Sequence, residues 1–266
     1  MIELRAGSAL CGVSAEDGGR VASLRVDRTT LIVERDPALP VGGWGSYPMV
    51  PWAGRVRRGR FRFDGIEYRL PINFGPHAIH GTGFQQSWEI VDRSSDSCTL
   101  TCPLQWEFGG EAEQIIELAD DALTCTLAVR AGERAMPATI GWHPWFIKPT
   151  HADLRFERMY PRDDDFITDG SIAEPPPPGP WDDCFAGPIV TPTLWIQGTG
   201  TDALEVSVTS DCDYWVVYDM PVHATCVEPQ TATPDAFNLG GATRLEPGQE
   251  LRRSMTIHWM PAARTA

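Results

Sequence analysis

The sequence has no long apolar run and few cations. No uninterrupted apolar stretch approaches the roughly 18 residues that a membrane-spanning helix requires. The opening residues, Met1 to Arg5, are not followed by an apolar segment, and we expect no signal peptide. Lysine and arginine together number 22 against 36 aspartates and glutamates, which gives a net charge of -14. Nucleic acids and anionic membranes are recognised by clustered cations. We therefore expect neither a nucleic acid nor a membrane as a partner.

Paired cysteines and the common cofactor motifs are also missing. The seven cysteines are odd in number, scattered, and never in Cys-x-x-Cys spacing, so neither a disulfide framework nor a zinc site is indicated. His77-x-x-His80 has no partnering cysteine or acidic residue at a suitable spacing, and we expect no metal. No glycine-rich phosphate loop, Gly-x-Ser-x-Gly or His-Glu-x-x-His motif occurs, and no cofactor is expected. The reduced cytoplasm is the expected location.

Short strand patterns dominate what is present. Runs such as 98–104, 123–129 and 251–259 have strand composition, and clusters of turn residues separate them. No window has a sustained 3.6-residue period, so we expect almost no helix. The pattern predicts an all-β sandwich or barrel, and we expect a single domain over 1–266. Residues 150–203 are rich in proline, aspartate and glycine, and we interpret them as an elaborated surface loop.

The stretch from Pro51 to Gly81 contains a predicted β-hairpin. Its centre is Asp64-Gly65, a pair that suits a two-residue turn with positive φ at both positions. The expected cross-strand pairs are Phe63 with Ile66, Phe61 with Tyr68 and Arg62 with Glu67, the last as an ion pair. A hairpin brings its two entrances together, so Arg55 before it and His80 after it are expected at one sheet edge, a suitable mouth for a site.

Two residues are the main candidates for acid–base chemistry. His143 lies among aromatic residues and is either a proton donor whose pKa burial adjusts or a hydrogen-bonded core histidine. Glu228 lies in an apolar strand, where a carboxylate is either a general base or one half of a buried ion pair, for example with Arg55. Each is followed by a proline, which cannot donate a ladder hydrogen bond. We expect both strands to end there, which places both side chains at a sheet rim and favours a functional role.

Other features are weaker on their own. His80 precedes Gly81, which allows close approach of a ligand, although a turn histidine is the more common case. Asp182 and Asp183 follow a proline run, where most aspartates are simply solvated. The alternating basic residues from Arg55 to Arg60 are more typical of a solvated strand face than of a phosphate site.

Taken in order, the motifs of this chain resemble those of the aldose 1-epimerase (galactose mutarotase) family. The matching segments span nearly the whole chain: Gly18 to Leu24, Trp52 to Val56, Gly59 with Phe61, Gly65 to Asn73, His80-Gly81, Trp88, Gly141 to Phe146, Asp182 to Phe185, Cys226 to Thr231, and Leu245 to Gly248. The resemblance implies a large twisted antiparallel β-sandwich with very little helix. It also implies an isomerase of carbohydrate metabolism that interconverts the α and β anomers of a hexose or related aldose without a cofactor, as a monomer or homodimer.

The resemblance also assigns roles to individual residues. Glu228 corresponds to the general base that removes the proton from the C1 hydroxyl, and His143 to the acid that protonates the ring oxygen. His80 would assist at the ring oxygen or an adjacent hydroxyl. Substrate contacts are expected from Arg55, Asp182, Asn73 and Trp145, the last because flat aromatic faces suit the C–H faces of a sugar.

Two departures leave the identity of the sugar open. Gly54 stands where many family members carry asparagine, and His143 is followed by proline, as in members more distant from the galactose enzymes. A hexose-6-phosphate mutarotase of the same fold is an alternative, and it requires Arg57, Arg58 or Arg60 to face the pocket.

A non-catalytic sugar-binding protein is a second alternative, although binding alone needs no acid–base pair. A carbohydrate hydrolase or lyase is a third. Hydrolases usually place two carboxylates around the bond they cleave, and only Glu228 has a suitable context.

Overall fold

Nearly all regular structure in the protein is β. The computed structural model describes residues 1–198 and 203–263. The strands in these ranges are β1 (Ile2–Ala6), β2 (Ala9–Ser14), β3 (Arg20–Val26), β4 (Thr29–Thr30), β5 (Ser46–Met49), β6 (Arg55–Val56), β7 (Arg60–Phe63), β8 (Ile66–Arg69), β9 (Ala78–Ile79), β10 (Glu89–Arg93), β11 (Ser97–Pro103), β12 (Glu111–Leu118), β13 (Ala122–Arg130), β14 (Met136–Ala138), β15 (Gly141–Ile147), β16 (His151–Asp153), β17 (Phe156–Tyr160), β18 (Asp182–Pro188), β19 (Thr193–Gln197), β20 (Ala203–Ser210), β21 (Tyr214–Tyr218), β22 (Ala224–Gln230), β23 (Thr243–Leu245) and β24 (Glu250–Pro261).

Helical structure is confined to very short segments within the described ranges. They are α1 (Ala236–Leu239) and two single-turn 3₁₀ helices, Arg57–Gly59 and Gly83–Gln85. The prediction of almost no helix is confirmed. None of the helices in the described part of the chain has the length and apolar character needed to cross a bilayer.

Two large antiparallel sheets form the body of the molecule. The first has ten strands in the order β1-β2-β3-β5-β15-β22-β21-β18-β17, with β4 paired to β3. The second has eight strands in the order β10-β11-β12-β13-β24-β20-β19-β16. One continuous apolar core contains residues of both sheets, such as Phe146 and Val227 from the first and Leu127 and Ile257 from the second. The predicted antiparallel β-sandwich is confirmed.

Strand alternation decides which side chains leave this core. In β15, Trp142 points to the second sheet, where its Nε1 donates to Gln114 Oε1 at 3.1 Å. Because successive side chains of a strand point to opposite faces, His143 and Trp145 project from the other face. The same rule sends Val227 of β22 into the core. The functional candidates therefore lie on the face of the ten-stranded sheet that is turned away from the second sheet.

The predicted hairpin is confirmed in its register and turn. β7 pairs with β8 through the expected partners, and the turn residues have φ of 50° at Asp64 and 77° at Gly65. The rings of Phe61 and Tyr68 stack with centroids 5.4 Å apart. The expected ion pair between Arg62 and Glu67 is wrong, because Glu67 pairs instead with Arg69 at 3.6 Å.

The interpretation of 150–203 as one long loop is also wrong. This region contributes β16 and β19 to the second sheet and β17 and β18 to the first. Strand β17 buries Phe156 and Met159 and exposes Glu157. The irregular part is shorter and lies between β17 and β18. Asp182 and Asp183 are consequently strand residues rather than loop residues.

Candidate active site

The face of the ten-stranded sheet opposite the second sheet carries a cavity of about 930 Å³. Strands β15, β22, β21 and β18 form its base, and the segments around β6 and β9 contribute to its wall. The seven residues to which the family resemblance assigns roles all line this cavity: Arg55, Asn73, His80, His143, Trp145, Asp182 and Glu228. They come from separate parts of the chain, and the fold brings them together.

His143 and Glu228 face each other across the two central strands. β15 pairs with β22 through Gly141 with Gln230 and Trp145 with Cys226. Continuing this register places His143 directly opposite Glu228. The distance between His143 Nε2 and Glu228 Oε1 is 3.2 Å, and both side chains are buried.

The predicted rim position of these two residues is wrong. β15 continues through Pro144 and β22 continues through Pro229, so both side chains lie in the interior of central strands. A proline is tolerated there because the ladder between the two strands is interrupted from 142 to 144 on β15. The missing N–H groups of the two prolines fall within this interruption. The pair lies at the base of a cavity, not at an edge.

Aromatic rings hold the imidazole of His143 on both sides. Tyr47, its partner on β5, stacks on it with ring centroids 4.9 Å apart. Trp145 stacks on it at 5.1 Å and carries His223 on its other face at 6.1 Å. Trp145 therefore stacks between two imidazole rings and supports His143, and its expected contact with a sugar stays a prediction. Tyr47 lies in no motif of the sequence that points to this role.

His80 approaches His143 from the wall of the cavity. Its backbone N–H donates to Gly54 O at 2.9 Å, and its ring lies perpendicular to that of His143 with centroids 5.1 Å apart. A Cβ on the next residue, Gly81, would lie 1.9 Å from the Val50 carbonyl oxygen, so only glycine fits. His80 Nδ1 is buried, and no described residue forms a hydrogen bond with it. The hydrogen-bonding capacity of this atom is therefore unused within the described part of the protein.

The hairpin entrances meet as predicted. Arg55 of β6 is the register partner of Ile79 of β9, next to His80. Its guanidinium lies between the rings of Phe74 and Phe166, 5.4 and 5.1 Å from their centroids. Among the described residues it forms no ion pair with a carboxylate, so the alternative of a buried Arg55–Glu228 pair does not occur.

Asn73 and the aspartate pair are already engaged within the protein. Asn73 Oδ1 accepts from Ile79 N at 2.8 Å and its Nδ2 donates to Ile79 O at 3.1 Å, which fixes β9 beside His80. Arg162 donates to Asp182 Oδ2 at 2.5 Å and lies 3.7 Å from Asp183 Oδ1. Arg162 was not found from the sequence, because it follows a strand in an irregular stretch that carries no motif.

Burial sets the protonation of the central pair. It raises the pKa of Glu228 well above its ordinary value, and nearby Asp182 adds to this effect while Arg55 opposes it. Burial also lowers the pKa of His143 to about 3 and that of His80 well below its ordinary value. These directions favour a carboxylic acid beside a neutral imidazole. This neutral pair has the same total number of protons as a carboxylate beside an imidazolium, and the two forms differ only in where one proton is placed.

The basic run before the hairpin lies outside the cavity. Arg57 pairs with Asp163 at 2.6 Å and with Asp165 at 2.8 Å. Neither it nor Arg58 or Arg60 is among the described residues that line the cavity.

Comparison with known proteins agrees with this architecture. The family model described as aldose 1-epimerase matches residues 1–258. The chain belongs to the aldose 1-epimerase family. The uncharacterized protein YphB of Escherichia coli K12 is 33% identical over 136 residues, which is 50% of this chain and 47% of that protein. The chain thus spans about half the length of this relative.

Solved structures show the same fold for this member of the aldose 1-epimerase family. A galactose mutarotase-like protein from Clostridium acetobutylicum has a TM-score of 0.85 at 17% identity, covering 98% of this chain and 95% of that one. A galactose 1-epimerase from Lactobacillus acidophilus NCFM has a TM-score of 0.79 at 15% identity, covering 97% and 93%. At these identities the likeness concerns the fold alone.

Proposed function

We propose that the protein is an aldose 1-epimerase that opens and recloses the ring of a free aldose by acid–base catalysis. The observation that carries the proposal is the 3.2 Å contact between His143 Nε2 and Glu228 Oε1 at the base of a cavity of about 930 Å³. The two oxygens that exchange protons in ring opening are bonded to the same carbon, C1. An acid and a base that serve both oxygens must therefore be close neighbours, as these two side chains are.

In the proposed reaction, the Glu228 carboxylate removes the proton of the C1 hydroxyl while the His143 imidazolium donates a proton to the ring oxygen. The C1–O5 bond breaks, its electron pair stays on O5, and C1 becomes an aldehyde carbon. Rotation about the C1–C2 bond presents the other face of the carbonyl. The C5 hydroxyl then attacks C1, His143 takes its proton, and Glu228 returns a proton to the carbonyl oxygen.

The electrostatics of the pair favour the proton transfers of ring opening. Ring opening converts a carboxylate and an imidazolium into a carboxylic acid and a neutral imidazole, which are the forms that burial favours, and reclosure restores the charged forms that burial opposes. The number of protons on the pair is constant through the cycle, so no proton has to enter from solvent. The aromatic rings that stack on His143 keep its Nε2 directed at the same point during both half-reactions.

Two wall residues are proposed to bind the sugar. His80 Nδ1 is buried without a hydrogen-bond partner among the described residues, and we assign it to the ring oxygen or an adjacent hydroxyl. The guanidinium of Arg55 is free of carboxylate partners in the described chain and can donate to further hydroxyls.

Polarimetry on freshly dissolved α-glucose, α-galactose and other aldoses tests the proposal. The protein should accelerate the approach to anomeric equilibrium for at least one sugar. Glu228→Gln should lower kcat by at least about 100-fold, because general-base catalysis contributes 10²–10⁴-fold. Glu89→Gln, an exposed glutamate on β10, is the matched control and should leave kcat unchanged. Full activity of the Glu228 variant would refute the mechanism, and no acceleration of any free aldose would refute the function.

The phosphate alternative has less support. Arg57, Arg58 and Arg60 were the residues it required, and none of them lines the cavity. Anomer exchange of hexose 6-phosphates, followed by NMR, separates the two substrate classes. A sugar-binding protein without catalytic activity would bind a sugar but would not accelerate anomer interconversion in either assay.

A further inference from the structure

One side chain beside the proposed acid–base pair has no role in the reaction. Cys226 precedes Glu228 by two residues on β22, so both project from the same face of the sheet. Its Sγ, the Nε2 or Nδ1 of His143 and a carboxylate oxygen of Glu228 all lie within 4.8 Å of one another. All three residues are buried. The sequence spacing gave no sign of this cluster, because its members come from two strands far apart in the chain.

This donor set is one that zinc accepts. Zinc in proteins binds cysteine sulfur, histidine nitrogen and carboxylate oxygen, and sites with three protein ligands keep a fourth position open. Nitrogen and oxygen ligands at about 2.0–2.1 Å from a tetrahedral ion stand about 3.3 Å apart. The observed separation of His143 Nε2 and Glu228 Oε1 is 3.2 Å. A sulfur at about 2.3 Å from the ion requires Cys226 Sγ to approach these atoms by roughly 1 Å at most.

An ion can reach this position through the cavity. His143 and Glu228 both line it, whereas Cys226 is fully buried beside them and is not among the described residues of the lining. The cation would enter from the sugar side, contact the imidazole and the carboxylate, and complete its coordination with the thiolate. The thiol proton of Cys226 and the carboxyl proton that burial favours on Glu228 both leave to solvent as the metal–sulfur and metal–oxygen bonds form. The fourth position then faces the cavity and is open to water.

We propose that Cys226, His143 and Glu228 form a binding site for a thiophilic divalent cation such as Zn²⁺, and that the bound ion inhibits the protein. The inhibition rests on the proposed function, because the ion occupies the lone pairs with which His143 and Glu228 would exchange protons. Mg²⁺ prefers six oxygen ligands in octahedral geometry and should not compete for this site. The proposal concerns an inhibitory site and adds no metal to the reaction itself.

Co²⁺ serves as a spectroscopic probe that needs no activity assay. A thiolate bound to Co²⁺ gives a charge-transfer band in the near ultraviolet, and Zn²⁺ should abolish it by displacement. Cys226→Ser should remove the band and weaken Zn²⁺ binding at least tenfold. Cys184→Ser is the matched control. Cys184 is also buried and lines the cavity, but it is not part of the three-residue group.

The control variant should keep both the band and the Zn²⁺ affinity of the parent protein. Glu228→Gln provides a second route, because it removes a ligand without touching either cysteine, and it should also weaken binding. Absence of the band in the folded parent protein, or its persistence in the folded Cys226→Ser variant, would overturn the site.

Inhibition by the bound ion is tested by measuring the rate of mutarotation at increasing Zn²⁺ concentration. Zn²⁺ should inhibit the parent and the Cys184→Ser variant equally, EDTA should reverse the inhibition, and Cys226→Ser should need at least tenfold more Zn²⁺. Equal sensitivity of the Cys226→Ser variant and the parent would overturn the inhibitory role. A Co²⁺ band in a protein that accelerates no aldose would support the site and refute the proposed function, so the two failures are distinguishable.

Discussion

We expect Arg20 to contribute strongly to the stability of the folded protein. It is fully buried at the start of β3, and its guanidinium donates to four backbone carbonyls. These are Asp17 O at 2.6 Å, Val41 O at 2.8 Å, Trp44 O at 2.9 Å and Phe84 O at 3.3 Å. Val41 and Phe84 line the cavity, so one side chain ties two parts of the cavity wall to the sheet.

Arg20→Met keeps the length of the side chain and removes the guanidinium. Four carbonyls lose a charged donor, which costs roughly 1.5 kcal/mol each, or about 6 kcal/mol. The substitution also relieves the cost of burying the cation, which lowers the pKa of Arg20 from 12.5 to about 10. At 1.36 kcal/mol per pH unit this relief is about 3 kcal/mol. The expected net loss is therefore about 3 kcal/mol.

Urea unfolding and thermal melting measure this loss. For a chain of this size, a loss of about 3 kcal/mol corresponds to a Tm lower by about 6–12 °C. Arg25→Met is the matched control on the same strand. Arg25 is exposed and pairs with Glu34, so its loss should cost less than about 1 kcal/mol. Equal effects of the two substitutions would refute the assignment of the buried guanidinium as a wall anchor.

Two further predictions concern the wall and the central pair. Gly81→Ala should cost about 3 kcal/mol or more, because its Cβ would lie 1.9 Å from Val50 O. Gly75→Ala, also at positive φ but with open space around it, should cost only about 1 kcal/mol in urea unfolding. Above pH 4.5 an unfolded chain releases the Glu228 proton that the folded protein retains. The free energy of unfolding of the parent should therefore fall relative to that of Glu228→Gln as the pH rises, by up to about 1.4 kcal/mol per pH unit. A constant difference between the two proteins from pH 5 to 7 would contradict a raised pKa.

Local structure can be predicted from the sequence wherever interactions between residues close in the chain determine it. Asp64-Gly65 fixed the hairpin turn, and the hairpin in turn placed Arg55 near His80, as its two entrances required. Strand runs such as β13 and β24 were found because their composition is that of strands. Sequence motifs alone indicate the seven candidate residues, and these residues line one cavity, although their roles stay predictions.

The parts that were missed depend on long-range packing. Proline and aspartate are common between and around β17 and β18 and predict a loop there, yet β17 pairs with β18 across the intervening irregular stretch and β18 also pairs with β21. Arg162 and Tyr47 carry no motif, and only the folded sheet brings them to the cavity. The contact of Cys226 with the central pair likewise follows from the register of β15 and β22.

The two prolines near the proposed catalytic pair show how a correct rule can lead to a wrong position. Pro144 and Pro229 each lack the N–H that a ladder needs, and an ended strand was the simplest inference. When two strands carry such prolines within the same short stretch, both can continue, and the ladder between them is interrupted instead. His143 and Glu228 lie within this interruption, opposite each other. A central position gives the pair a rigid, buried base that an edge would not provide, and this burial is what shifts both pKa values toward the neutral forms.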